Sequence, residues 1–464
     1  MNEVSNTRRA AKTATRSARV TFHALVAGGE AVGREAAGRE AAGKTVFAPF
    51  AAPGDVATVQ IQAEKPAFAR GLIGEIEIFS PDRIAPLCPQ FRPQAPRNSC
   101  GGCAWQHVSL SAQRLAKREI VRSALERIGG QNGTDIVEAV RGGAGFGYRN
   151  KADLVIGRGE NGAEIGFFAR ESHDLVDAPN CPIQNPKNEE ILRAAREILA
   201  QHPNWAFDAR SGRGLWRRLV ARTASNGETL AILVVGGEAA VSSQQTRQIA
   251  QMLRERVPHL VGVLATAGRG AANLVWGRDD LTESVNGLDF RVSGCAFWQV
   301  NTEMSPLLAE TVLEMADVQE GERALDVFCG AGFFALHLAR ADADVTGIET
   351  HRGAVRDAIW NAKNNALSAH FRDGEANQQL ARFGPGDFDL MVLDPPRAGA
   401  RDCLGSLLKI APRRLIYVSC DPATWARDAK VLSENGYVLS RVIPFDLFPQ
   451  TAHVEVVSQF ERTS

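Results

Sequence analysis

The distribution of apolar and polar positions changes rhythm several times along the chain, and each change predicts a different kind of element. From Val20 to about Asp82, short alternating runs ("VTFHALVAGGEAVG", "KTVFAPFAAPGDVATVQI", "FARGLIGEIEIFSPD") are punctuated by glycine and proline, the pattern of a small antiparallel β-barrel. Between Ser109 and Gly129 the apolar positions of "SLSAQRLAKREIVRSALERIGG" fall at helical intervals and Gly130 follows, which predicts one helix. Strand-like and basic segments then alternate through "GYRNKADLVIG", "EIGFFAR", "GRGLWRRLVARTA" and "ETLAILVVGG". From Glu322 the pattern becomes strand, glycine turn, helix, strand in "ERALDVFCGAGFFALHLARADADVTGIET", the opening of a parallel α/β sheet.

Length and charge narrow this picture. The 464 residues leave room for roughly three domains of ~150 residues. The 53 basic and 53 acidic residues balance, so attraction to a polyanion has to come from local patches. Residues 210–222 carry five arginines and Trp216, which reads either as an RNA-holding surface or as an ordinary solvated strand face. No apolar run of about 18 residues occurs and the N-terminus lacks an apolar core segment; the expectation is a soluble, cytoplasmic protein with no membrane contact. The first 19 residues hold five bases and one acid and are expected to be disordered. The tandem pentapeptide at 33–37 and 38–42 is read as a lengthened loop without function.

Eight cysteines in such a chain are free, catalytic or metal-bound rather than disulfide-bonded. Cys88, Cys100 and Cys103 lie in "CPQFRPQAPRNSCGGC" and Cys181 in "APNCPIQNP"; four thiolates from loops suit either a zinc ion or an iron–sulfur cluster. In "RRLIYVSCDPATWARD" a strand delivers Cys420 to a helix start marked by Asp421, Pro422 and Thr424. A thiolate is favoured at such a helix end, whereas a buried, inert thiol is the plain alternative. Glu349 follows Gly330 by 19 residues, as an acid that takes ribose hydroxyls follows a nucleotide-binding glycine turn; Ala335 in the third-glycine place leaves a dinucleotide site open too. The strand "FDLMVLDPPRAGA" ends in Asp394 and a proline-fixed turn, which holds that carboxylate toward the ligand edge of a parallel sheet.

Taken in order, the barrel with "APGD", then "CGGCAWQH", "YRNK", "CPIQNP", "FWQVN", "LDVFCGAG", "LDPPRAG", "YVSCDPATWARD" and "DLFPQTAHVE" resemble the RNA (uracil-5-)-methyltransferase family, most closely its 23S rRNA branch with a TRAM domain and a 4Fe-4S cluster. The resemblance implies an α/β fold of four parts. These are a basic tail (1–19), a TRAM, OB-like RNA-binding barrel (20–82), a central α+β domain with the iron–sulfur cysteines (83–292), and a Rossmann-like class I methyltransferase domain (293–464). It implies S-adenosylmethionine as donor, RNA as partner (23S rRNA, with tRNA as the alternative) and a monomer. Cys420 would be the nucleophile and Glu455 the base. Gln299, Phe328, Gly330, Gly332, Glu349, Glu375 and Asp394 would surround the donor, with Phe297 and Asp394 at the substrate. Cys88, Cys100, Cys103 and Cys181 would ligate the cluster, and Cys329 would be a packing residue. A relict fold serving as a non-catalytic iron–sulfur RNA-binding protein is the alternative of another class. Two features depart from the family pattern: eleven residues separate Cys88 from Cys100 instead of five, and Phe333 stands where a donor-loop asparagine is common.

Overall fold

The computed structural model describes residues 16–36, 43–159, 162–268 and 272–463. The expectation of a disordered tail therefore falls outside the described residues over 1–15, as does the whole of the second tandem pentapeptide. The chain forms two compact units, one of residues 1–85 with 107–109 and one of 86–106 with 110–464.

In the first unit β1 (Ser17–Leu25), β2 (Ala31–Glu35), β3 (Thr45–Ala48), β4 (Val56–Glu64) and β5 (Phe68–Ile78) close into a barrel in the order β1-β2-β3-β5-β4. Period-2 alternation turns Ala18, Val20 and Phe22 inward. The first strand begins inside the stretch expected to be disordered, because Arg16 pairs with Glu35 and Glu64 and Arg19 with Glu77. The "APGD" turn has a structural task. Asp55 is fully buried and its carboxylate accepts from the Ala52 N–H (2.6 Å), the Ser80 N–H (2.9 Å) and the Arg83 guanidinium (2.7 Å).

The second unit begins with the cysteine loop and α1 (Leu110–Ala124), which continues as a π-turn over Leu125–Gly129 and stops at Gly130, φ 68°. Gly129 packs closely there, since a Cβ would stand 3.0 Å from Leu125 Cδ1 and 3.4 Å from the Ala426 carbonyl. Then come β6 (Arg141–Gly142), β7 (Lys151–Gly159), β8 (Gly162–Phe168), β9 (Leu175–Asp177), α2 (Pro186–Gln201), β10 (Trp216–Thr223), β11 (Thr229–Val235), α3 (Glu238–Val241), α4 (Gln244–Arg256), β12 (Leu260–Thr266) and β13 (Asn273–Gly277). Seven of these strands form one sheet, β13-β12-β11-β10-β7-β8-β9. It is covered by α2 and α4 through Ile191, Ile198, Ile249 and Leu253. Asn185 starts α2 by accepting from the Lys187 N–H, with Pro186 at the first helical position, a cap and a preset φ together.

A hairpin, β14 (Asp280–Val285) and β15 (Leu288–Ser293), turns at Asn286 and Gly287, both with positive φ. After α5 (Ser305–Ala316) the chain builds β16 (Arg323–Val327), α6 (Phe333–Arg340), β17 (Asp344–Glu349), α7 (Arg352–Asn364), β18 (Ala369–Asp373), α8 (Ala376–Leu380), β19 (Leu390–Leu393), α9 (Leu404–Ile410), β20 (Arg414–Ser419), α10 (Pro422–Glu434), β21 (Tyr437–Asp446) and β22 (Glu455–Arg462). The sheet order is β18-β17-β16-β19-β20-β22-β21-β6. Its first five strands are parallel, and β22 runs antiparallel between β20 and β21. This is the Rossmann-like class I methyltransferase sheet. The division expected at 292/293 is not a break in packing. Strand β6, at 141–142, extends the C-terminal sheet, and α1 with its π-turn packs on α10 and β21. The long apolar runs of β19 and β20 are buried on both faces, as parallel strands must be.

Candidate active site

The donor loop follows β16. Phe328 adopts a left-handed φ of 68° and its N–H, like that of Cys329, donates to the Ile348 carbonyl (2.9 and 3.0 Å). The turn is thereby fixed to the end of β17. Gly330 and Gly332 also have positive φ, and Gly332 heads α6. Glu349, at the carboxyl end of β17, accepts from the Gly330 N–H (3.0 Å) through one oxygen and from the His351 N–H (2.7 Å) through the other. Its own carbonyl receives the Gly374 N–H (3.0 Å), which brings exposed Glu375, at the head of α8, to the same edge. Cys329 is buried against Gly347, where a Cβ would stand 2.9 Å from its sulfur. Phe333 is turned into an aromatic cluster, edge-on to Trp298 (5.3 Å) and close to Phe290 and His337. It secures the "FWQVN" segment by packing.

That segment presents Phe297, 66% exposed, and half-buried Gln299, whose carbonyl accepts from Asn150 Nδ2 (2.9 Å). Sequence reasoning missed Asp326, which sits in β16 beneath the loop. It is fully buried; Oδ2 accepts from the Ala335 N–H (2.8 Å) and Oδ1 has no hydrogen-bond partner among the described residues. Burial, with Asp394 and Glu349 nearby, pushes it up to about 8. The signal was one acid inside the apolar run "RALDV".

Three strand ends bring Cys420, Asp394 and Glu455 together. Ser419 of β20 stands opposite Val456 of β22, so one step further along the antiparallel ladder Cys420 faces Glu455. Leu393 of β19 pairs with Tyr417, and Asp394 leaves the sheet beside them, its N–H donating to the Val327 carbonyl (3.3 Å). Glu455 is buried, and burial together with the Asp394 charge holds its carboxyl well above the ordinary range. Burial pushes Asp394 up to about 7.

Half-buried Cys420 is pushed up to about 11, by burial first and then by the Glu455 and Asp394 charges, with Arg397 opposing. The expectation that the helix end favours a thiolate is thus outweighed. The first N–H groups of α10, at Ala423 and Thr424, go to the Asp421 carboxylate (3.0 and 2.9 Å), and Cys420 stands one residue outside that cap. Arg397 leans on His453, Nη2 3.3 Å from Nδ1, at the same site.

Cys88, Cys100, Cys103 and Cys181 line one cavity of about 250 Å³ together with Gln106, Arg149 and Gln184. The eleven-residue spacing is absorbed by folding back: a 3₁₀ turn forms over Pro96–Asn98, and the Cys100 N–H returns to the Gln90 carbonyl (2.9 Å), two residues after Cys88. Gly101 permits close passage, since its Cβ would lie 2.9 Å from the Phe168 carbonyl. Burial raises the Cys103 thiol to about 12 and raises Cys100 and Cys181 as well, as burial does for any thiol. Among the described residues no group of three or more Cys, His, Asp or Glu side chains is placed to hold a metal ion. Four thiols lining one cavity are a donor set that either a zinc ion or an iron–sulfur cluster takes.

The arginine-rich segment is divided between interior and surface. Trp216 is fully buried, Arg222 is buried, and Arg218 is paired with Asp153. Arg210, Arg213 and Arg217 remain exposed. Arg222 donates through Nη1 to the carbonyls of Ser293 (3.2 Å), Gly294 (2.8 Å) and Ala296 (2.9 Å), and so braces the loop that presents Phe297.

The family description "tRNA (Uracil-5-)-methyltransferase" matches residues 243–372, and a general methyltransferase-domain description matches 318–453. A relative from Halalkalibacterium halodurans, described as an uncharacterized RNA methyltransferase, is 31% identical over 429 residues, covering 90% of this chain and 92% of its own. One from Gloeobacter violaceus, described likewise, is 34% identical over 456 residues, 96% of each chain. Among solved structures, the Pyrococcus abyssi tRNA (uracil-54, C5)-methyltransferase in complex with S-adenosyl-L-homocysteine is similar in fold over 95% of this chain and 99% of its own, with a TM-score of 0.74 and 24% identity.

Proposed function

Because the chain belongs to the RNA methyltransferase family of these relatives, within the group that the uracil-5 description covers, we propose that it methylates carbon 5 of a uridine in RNA through a covalent adduct at Cys420. The observation that carries this reading is the meeting of Cys420 and Glu455 at neighbouring strand ends beside Asp394. Carbon 5 of uracil is a weak nucleophile. A thiolate bonded to carbon 6 converts it into an enolate carbon that can displace the methyl group from a sulfonium donor. Glu455 then removes the proton from carbon 5, and the electron pair released re-forms the 5,6 double bond as the Cys420–carbon 6 bond breaks. Exposed Phe297 supplies a stacking face for a uracil flipped from its RNA, at a cost of a few kcal/mol in lost stacking. Glu349 and the Gly330–Gly332 turn are suited to the donor's ribose and amino-acid parts, and Glu375 to its adenine edge.

The barrel is read as a TRAM-type module that holds RNA. Cys88, Cys100, Cys103 and Cys181 are read as the ligands of a 4Fe-4S cluster, which when bound supplies four thiolate bonds joining segments 78 residues apart. The substrate branch proposed is 23S rRNA; tRNA is the second reading, favoured by the matched description.

A transcript carrying 5-fluorouridine tests the chemistry. The wild type is expected to form a complex that survives denaturing electrophoresis, since fluorine does not leave as a proton does. Cys420→Ala is expected to form none while binding S-adenosylmethionine normally. A Cys420→Ala protein with a tenth of wild-type methylation would remove the thiol from the mechanism. Purified without oxygen, the same protein is expected to carry about four irons and four sulfides per chain, and one zinc instead would overturn the cluster. Parallel assays on separated rRNA and tRNA decide the branch.

A further inference from the structure

Residues 447–454, between β21 and β22, form an irregular loop that ends at Glu455. Four consecutive carbonyls of this loop are each gripped by a different part of the chain. Asn301 Nδ2 donates to Leu447 (3.1 Å), Lys117 Nζ to Phe448 (2.9 Å), the Tyr148 hydroxyl to Pro449 (3.0 Å), and the N–H groups of Ala104 and Trp105 to Gln450 (2.9 and 3.0 Å). Two of these grips come from the cysteine-bearing segments or from their immediate support. Ala104 and Trp105 follow Cys103 directly. Tyr148 belongs to "YRNK", whose neighbouring Gly147 and Arg149 N–H groups donate to the carbonyls of Pro182 and Ile183 (2.9 Å each), just after Cys181.

Gln450 is the most committed residue in the loop. It is buried and left-handed at φ 70°, an uncommon conformation for a side chain of its kind. Its N–H donates to Gln113 Oε1 (2.9 Å), its Oε1 accepts from Gln113 Nε2 (2.9 Å), and its Nε2 reaches the Gly145 carbonyl (3.4 Å). A residue held at every polar atom in a strained backbone is over-determined by its surroundings.

We infer that Tyr148 and Gln450 are positioning residues, which fix the loop ahead of Glu455 to the cysteine-bearing segments and thereby keep the base opposite Cys420. The inference rests on the covalent mechanism proposed above and extends it. The four-cysteine cavity and the methyl-transfer site share one loop, and the step most sensitive to that loop is proton removal from carbon 5, the step assigned to Glu455. The glycine turn at Gly330–Gly332 and Glu349, assigned above to the donor, lie on other segments.

Tyr148→Phe removes a single hydroxyl, and Gln450→Asn keeps a side chain that tolerates the left-handed backbone while shortening its reach to Gln113. On an unmodified RNA substrate both variants are expected to accumulate the Cys420 adduct at steady state. Both should release methylated RNA about tenfold more slowly than wild type, the scale of one or two lost buried hydrogen bonds. Iron content and the Kd for S-adenosylmethionine should be unchanged. Release within twofold of wild type, or a parallel loss of donor binding or iron, overturns the positioning role. The wild-type control separates the two possible failures. If wild type gives no complex with 5-fluorouridine RNA, the covalent reading itself falls; if it does and the variants behave as wild type, only the positioning inference falls.

Discussion

At Cys420, the proposed nucleophile, burial favours the protonated thiol, and this sets how the rate is expected to respond to pH. Cys420, at about 11, and Glu455, held well above the ordinary carboxyl range, must both lose protons for the assigned roles. Raised values mean that the active ionisation states gain population as pH rises. The rate of methyl transfer under subsaturating RNA is therefore expected to climb across pH 6–9 without a descending limb. A bell with a fall below pH 9 would point to an essential acid instead. The Glu455 charge raises the Cys420 thiol, so replacing Glu455 by Gln removes a charge that opposes thiolate formation. Adduct formation in Glu455→Gln should then begin at lower pH than in wild type, while resolution of the adduct fails. Among these residues, Cys420 and Asp394 could be singled out from the sequence because each stands at a junction of an apolar run with a turn, whereas Glu455 came from the family resemblance alone. Asp326 left one signal, a lone acid inside an apolar strand, and its surroundings lie far off in sequence.

Among the elements, the β16–α6–β17 unit was legible, since an apolar run, a glycine turn, a helix and an acid at the end of the second strand leave few other folds. The fate of β10 was not. Its second half, Leu219–Thr223, is buried on both faces and has no alternation to read, and Trp216 and Arg222 are covered by partners far off in sequence; the carbonyls that hold Arg222 lie more than 70 residues away. Helix α1 was legible as a helix, yet its destination was hidden in one residue. Lys117 is fully buried and paired with Asp446 at the end of β21, with Arg114 3.7 Å from the same carboxylate. Burial lowers the Lys117 affinity for its proton, and Asp446 opposes that. Removing one partner of a buried pair strands the other charge, at a cost of about 3–5 kcal/mol. Asp446→Ala is expected to lower unfolding stability by that amount in denaturant melts. The double replacement Lys117→Met with Asp446→Leu should recover most of it. An Asp446→Ala variant within about 1 kcal/mol of wild type would mean that the Phe448 carbonyl and water suffice for the Lys117 ammonium, on the usual scale of an exposed pair.

For the molecule as a whole, the barrel contributes fewer free cations than its sequence suggests. Arg16, Arg19, Lys44, Arg70 and Arg83 all have carboxylate partners within the first unit. Deleting residues 1–82 is expected to weaken binding of long RNA while leaving donor affinity unchanged. It should make the log–log salt dependence shallower by no more than about six counterions, the number of other bases in this stretch, measured by titration between low and moderate salt. A larger change would show that the barrel breaks its own ion pairs to grip RNA. The loop ahead of Glu455 carries one more consequence, this time in time rather than space. Its ties to Gln113, Lys117 and Tyr148 join residues 337, 331 and 301 positions apart, whereas the turn that holds Glu349 closes over 19. Contacts of such high sequence separation form late and slowly. A refolding chain should therefore regain S-adenosylmethionine binding before it regains methyl transfer, passing through a stage in which the donor is held and nothing can yet be done with it.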